Sequence, residues 1–145
     1  MPRTPKGRYV LDTYAIFTYL KDEPGAEEVG KLLRDGKRGK VELLVSWVSI
    51  TEVFYQTVRR DGLEAAHAVA ATIKRWPVKL LPIGDKEALS AGWFKGRFHL
   101  SLGNAFVLGT AKVHSAKVIT GDPEFEPVEE AGAIEVKWLS SKPKD

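Results

Sequence analysis

The stretch Arg8-Tyr9-Val10-Leu11-Asp12-Thr13-Tyr14 decides how this chain is read. Tyr9, Val10 and Leu11 form a short apolar run. An acid and a threonine follow, and Tyr14 to Leu20 then continues as an apolar helical segment. A brief apolar run that passes almost directly into a helix is the pattern of a buried strand in a layered α/β protein.

The same alternation recurs downstream. Lys21-Asp22-Glu23-Pro24-Gly25 breaks the first helix, and Ala26 to Arg34 reads as a second, ended by Asp35-Gly36. Leu43-Leu44-Val45 is the next buried strand. Ser49 to Arg60 reads as a helix closed by Asp61-Gly62, and Leu63 to Arg75 as another, stopped by Trp76-Pro77. Val78 to Leu81 is a strand, Asp85 to Phe94 a helix, Leu102 to His114 a helix rich in small residues that starts near Ser101. Lys117 to Thr120 and Ala133 to Trp138 are the last strands. Strands alternating with helices predict an α/β layer fold with a largely parallel sheet.

The chain has 145 residues, 43% hydrophobic and 28% charged, the size and balance of one soluble globular domain. It has no cysteine, which excludes disulfides, thiolate metal sites and cysteine nucleophiles. Met1 to Arg8 is basic and lacks the apolar run of a secretory leader, and no stretch approaches the ~18 apolar residues that read as a membrane span. The expected location is the cytoplasm, with no membrane association. The net charge of +3 permits a nucleic-acid partner. The positive residues are grouped: Arg34, Lys37, Arg38 and Lys40; Arg59 and Arg60; Lys95, Arg97 and His99.

Four polar residues stand where strands hand over to helices: Asp12, Glu52, Asn104 and Asp122. Open α/β sheets bind ligands outside the carboxyl ends of their strands. Each residue also has a structural reading. Asp12 and Asp122 suit N-caps, Asp122 with Pro123 at the first helical position. Ser49-Ile50-Thr51-Glu52 matches a capping box, and Asn104 falls three residues after the Ser101 cap. Together on one sheet edge, the acids suggest a hard-cation site and, with it, phosphate chemistry.

The four segments in order resemble the PIN domain family, and within it the VapC-type toxins. They are Tyr9-Val10-Leu11-Asp12-Thr13, Val48-Ser49-Ile50-Thr51-Glu52-Val53, Leu100-Ser101-Leu102-Gly103-Asn104-Ala105-Phe106 and Val118-Ile119-Thr120-Gly121-Asp122-Pro123-Glu124-Phe125. The resemblance implies a three-layer α/β/α fold with a mostly parallel central sheet. On this reading residues 1–145 are one PIN-like domain, with 1–7 and 140–145 as flexible tails. It also implies an endoribonuclease dependent on Mg²⁺ or Mn²⁺, a toxin held inactive by an antitoxin, and a homodimer is compatible with it. Asp12, Glu52 and Asp122 correspond by position to the family's acidic residues. Asn104 stands where the family pattern has an aspartate, and Gly103 where alanine is expected.

Under this resemblance the catalytic set is Asp12, Glu52, Asn104 and Asp122, with Asp12 and Asp122 nearest the metal and Glu52 orienting or deprotonating the attacking water. Loss of a charge at position 104 is expected to weaken metal binding, so Asn104→Asp is expected to raise Mn²⁺ affinity and activity. Arg59, Arg60, Lys95 and Arg97 are candidates to draw in the RNA backbone. Trp93, Phe94 and Phe98 are candidates to stack on bases. The apolar excess over Tyr14 to Leu33 is mostly core, with a groove for a partner helix as the alternative. A haloacid-type hydrolase needs a second acid two residues after Asp12, where Tyr14 stands. A receiver domain needs a mid-sheet aspartate at a strand end, and neither phosphate-binding glycine motif is present. The rival of another class is a catalytically impaired PIN-like module that binds RNA or protein, and Asn104 is its support.

Overall fold

Short apolar segments alternate with longer amphipathic ones along the whole chain, and each takes the expected form. The computed structural model describes residues 7–140. In order they form β1 (Arg8–Leu11), α1 (Thr13–Leu20), α2 (Ala26–Lys37), β2 (Glu42–Ser46), α3 (Trp47–Asp61), α4 (Leu63–Lys74), β3 (Lys79–Leu81) and α5 (Asp85–Arg97). Then come α6 (Leu102–Val113), β4 (Lys117–Thr120), a 3₁₀ turn (Pro123–Phe125), α7 (Glu126–Glu130) and β5 (Val136–Trp138).

The sheet order is β3-β2-β1-β4-β5, and every pairing is parallel. Val10 lies opposite Leu44 on one side and Val118 on the other. Successive strand residues point to opposite faces, so the two cores interleave. Leu11, Leu43, Val45 and Ile119 join Ile16, Val29, Ile50 and Ile73 on one face. Val10, Leu44 and Val118 join Phe94, Leu108, Phe125 and Val128 on the other. The result is three layers, α/β/α, with helices α1 to α4 on one face and α5 to α7 on the other.

The chain winds outward from β1 through β2 to β3, then returns across the sheet to place β4 on the other side of β1. The winding therefore reverses between β1 and β4, the crevice where such sheets bind ligands.

Several boundaries differ from the sequence reading. Helix α3 starts at Trp47, not Ser49, because Ser46 at the very end of β2 is the N-cap and accepts from Val48 N. The capping box is therefore absent: Ser49 is a buried interior residue whose hydroxyl has no hydrogen-bond partner. Helix α2 runs through Asp35-Gly36 to Lys37. Lys31 pairs with Asp35 at 2.9 Å one turn apart, and Gly36 serves close packing, since a side chain there would press on Leu43. Helix α5 continues past Phe94 to Arg97. The expected tails fall mostly outside the described residues, but their inner ends are tied: the Gly7 carbonyl accepts from Glu42 N, and Ser140 N donates to Glu28 at 3.2 Å.

Candidate active site at the switch point of the sheet

Two chain segments leave the sheet side by side at the switch point. Leu11 ends β1 and Asp12 caps α1, its Oδ1 accepting from Ala15 N at 2.8 Å. Thr120 ends β4, and Asp122 caps the following 3₁₀ turn, its Oδ1 accepting from Glu124 N at 2.9 Å. Thr120 links the two. Its hydroxyl donates to Asp12 Oδ2 at 2.5 Å and accepts from Asp122 N at 2.9 Å. Gly121 allows this close exit, because a methyl group there would collide with the Tyr14 ring.

Helix α3 brings Glu52 to the same place. Its carboxylate accepts from the Thr13 hydroxyl at 2.7 Å and lies in the space that a side chain at Gly103 would fill. Helix α6 adds Asn104, whose backbone N–H donates to the Ser101 cap at 3.2 Å. The Asn104 side-chain amide donates to Asp122 Oδ2 at 3.0 Å and to Glu124 Oε1 at 2.8 Å. Asp12, Glu52, Asn104 and Asp122 all line one cleft of about 470 Å³. The four residues singled out by sequence are thus together. The structural readings of Asp12 and Asp122 as caps also hold, so capping and a place in the cleft are compatible for both carboxylates.

The electrostatics of the cleft are one-sided. Among the described residues its lining carries the acids Asp12, Glu23, Glu52 and Asp122 against a single cation, Lys21. Asp12 is 1% exposed. Burial pushes its carboxyl up to about 7; the bonds from Thr120 and Ala15 oppose the rise, and the nearby Asp122 and Glu52 charges add to it. A buried carboxylate among like charges is costly unless a cation joins it. The donor set, carboxylate and amide oxygen with no nitrogen or sulfur ligand, suits a hard divalent ion. Among the described residues no three His, Cys, Asp or Glu side chains form a ready-made cage. An ion held here would take one or two carboxylates and keep much of its water shell, as Mg²⁺ does.

Four contributors escaped the sequence reading. Thr13 and Thr120 position Glu52 and Asp12; both adjoin or closely precede a candidate acid, and that adjacency was the available signal. Glu124 follows Asp122 by two residues and joins its hydrogen-bond network. Lys21 had no signal beyond its place in a helix-breaking segment.

The basic and aromatic candidates fare unevenly. Arg60 lies 5.8 Å and Lys21 4.5 Å from the centre of the Phe17 ring, which lines the cleft. Arg59 lies over Tyr55, and Arg97 over the exposed Trp93. Lys95 donates to the Leu100 carbonyl. Phe94 is buried and cannot stack on a base, and Phe98 packs on it. Of the apolar excess in α1 and α2, Ile16, Phe17, Val29, Leu32 and Leu33 are core, while Tyr19 is exposed.

The model of the PIN domain family matches residues 9–131. No curated protein matches the chain. Among solved structures, the chain is similar to VapBC2 of Rickettsia felis, bound to a DNA fragment from its promoter: TM-score 0.74, 12% identity, covering 91% of this chain and 98% of that one. It is similar to DNA-bound VapBC of Salmonella typhimurium, with TM-score 0.72, 18% identity and coverage of 91% and 98%. VapC20 of Mycobacterium tuberculosis, a sarcin–ricin-loop-cleaving toxin, gives TM-score 0.63 and 17% identity over 83% of this chain and 94% of that one. At these identities the likeness is one of fold.

Proposed function

The chain belongs to the PIN domain family, and on that premise we propose that it is a metal-dependent endoribonuclease, the toxin of a toxin–antitoxin pair. The observation that carries this reading is the meeting of Asp12, Glu52 and Asp122, from three separate segments, in one cleft at the switch point. The whole chain is read as a single domain of this kind, acting in the cytoplasm. RNA is the substrate class favoured by the likeness to a sarcin–ricin-loop-cleaving toxin.

In this proposal Asp12 and Asp122 hold Mg²⁺ or Mn²⁺. The bound ion supplies positive charge to the phosphoryl group and makes a water nucleophile easier to ionise. Thr120 fixes the Asp12 carboxylate and the Asp122 backbone relative to each other, so both acids are preorganised. Glu52, oriented by Thr13, takes the proton of the attacking water. Lys21 on the cleft wall, with Arg60 beside Phe17, draws the phosphate backbone toward an otherwise negative pocket. The likeness to VapBC structures favours an antitoxin partner. Exposed Tyr19, Trp47, Leu63, Leu89 and Trp93 leave apolar surface for it and for a second copy of the chain.

The test is cleavage of RNA in Mn²⁺. Cleavage that disappears with a chelator and in Asp12→Asn is the expected result. RNA binding without cleavage supports the second reading, a catalytically impaired PIN-like binding module, which the amide at Asn104 favours.

A further inference from the structure

The side chain of Asn104 does something an aspartate there could not do. It donates to two carboxylates at once, Asp122 Oδ2 at 3.0 Å and Glu124 Oε1 at 2.8 Å. An ionised carboxylate can only accept, so both neighbours demand the NH₂ end of the amide, and its orientation follows. Glu124 Oε1 also accepts from the backbone N–H of Ser101 at 2.7 Å, at the positive end of α6. Glu124 N in turn donates to Asp122 Oδ1 at 2.9 Å. The two acids are thus tied to each other and to the first turn of α6.

We propose that Asn104 is a positioning residue that clamps the Asp122 and Glu124 carboxylates side by side, adding Glu124 to the acids Asp12, Glu23, Glu52 and Asp122 that line the cleft. This inference rests on the nuclease reading of the same site. Gly103 belongs to the same arrangement. Without a side chain at 103, the Glu52 carboxylate lies against the first turn of α6. With a donor at 104, Asp122 and Glu124 gather on that turn as well. Residues 103 and 104 therefore work as a pair: one leaves room for an acid, and the other binds two more. An aspartate at 104 would replace the side-chain donor that the two acids share with a third like charge. Asn104→Asp is then a loss, in place of the gain that a simple missing charge implies.

The experiment titrates Mn²⁺ into the full chain, following free Mn²⁺ by electron paramagnetic resonance, for wild type, Asn104→Asp and Glu124→Gln. Melting temperatures and side-chain amide NMR spectra of the metal-free proteins are recorded alongside. Both variants are expected to weaken Mn²⁺ binding by about tenfold, the equivalent of one charge-assisted hydrogen bond. In Glu124→Gln the Asn104 amide protons are expected to shift without metal. Tighter Mn²⁺ binding by Asn104→Asp overturns the clamp. Unchanged Mn²⁺ affinity in Glu124→Gln, with only a lowered melting temperature, also overturns it and leaves Glu124 as a brace for the turn. If Glu124→Gln does not fold, Glu124→Asp keeps the charge and shortens the reach; it must show the same loss, and wild-type affinity there contradicts the proposal. A wild type that binds Mn²⁺ yet cleaves no RNA, with both variants weakening Mn²⁺ binding and the amide shift present in Glu124→Gln, sinks the nuclease reading and leaves the clamp standing.

Discussion

Asp12 is a buried carboxyl held among like charges. Burial lifts its carboxyl from 3.8 to about 7, so between those values the folded chain holds a proton that the unfolded chain has released. Stability therefore falls as pH rises through that window and levels off above it, by at most about 4 kcal/mol. Metal-free urea unfolding at pH 5 and pH 8 should show this loss. Asp12→Asn should flatten the profile and be the more stable protein at pH 8, a gain in stability at the expense of function. A wild-type profile that rises from pH 5 to pH 8 would contradict the account of Asp12. Gly103→Ala is the complementary case. Its methyl group would strike the Glu52 carboxylate, so RNA cleavage should drop while the melting temperature changes little, because the flexible glutamate can swing away. At this scale the acids were legible, since residues at strand ends are few and their chemistry is specific. Their partners were not. A threonine beside an aspartate looks the same in a sequence whether or not its hydroxyl reaches a residue more than a hundred positions away, as Thr120 does with Asp12.

The elements were legible wherever a turn residue or an apolar period marked them, and misread where two signals competed. Both Ser46 and Ser49 precede apolar helical residues, and the motif Ser49 to Glu52 has the spacing of a capping box. The strand passes into α3 without a loop, so the earlier serine wins. Ser46→Ala should cost about 1 kcal/mol in chemical denaturation. Ser49→Ala, which removes a buried hydroxyl without a partner, should be neutral or stabilising. The opposite ranking would restore the capping box. Helices α5 and α6 meet at a second point of this kind. A Cβ at Gly109 would stand 2.6 Å from Ala91 N and 2.7 Å from the Glu87 carbonyl, contacts that only backbone movement relieves. Gly109→Val should destabilise the fold by about 1–3 kcal/mol or more through overpacking, read as a shifted urea midpoint at unchanged slope. Small residues in α6 were visible in the sequence; which helix they admit was not, because that depends on the order of the strands.

For the molecule as a whole, one topological fact brings the candidate acids together. The sheet winds outward from β1, then reverses to set β4 beside it, and the crevice between those strand ends receives Asp12 and Asp122 directly, with Glu52 and Asn104 arriving from α3 and α6. The alternation of strands and helices made a parallel sheet legible. The strand order was carried only by the family resemblance, since nothing local to a strand records its neighbours. Among the described residues no helix is long and apolar enough to cross a membrane. If far-separated acids share one divalent ion at this crevice, a crystal soaked in Mn²⁺ will show an anomalous peak about 2 Å from carboxylate oxygens of Asp12 and Asp122. A saturated crystal with no peak in the cleft, or with Mn²⁺ bound only elsewhere, rules the shared ion out.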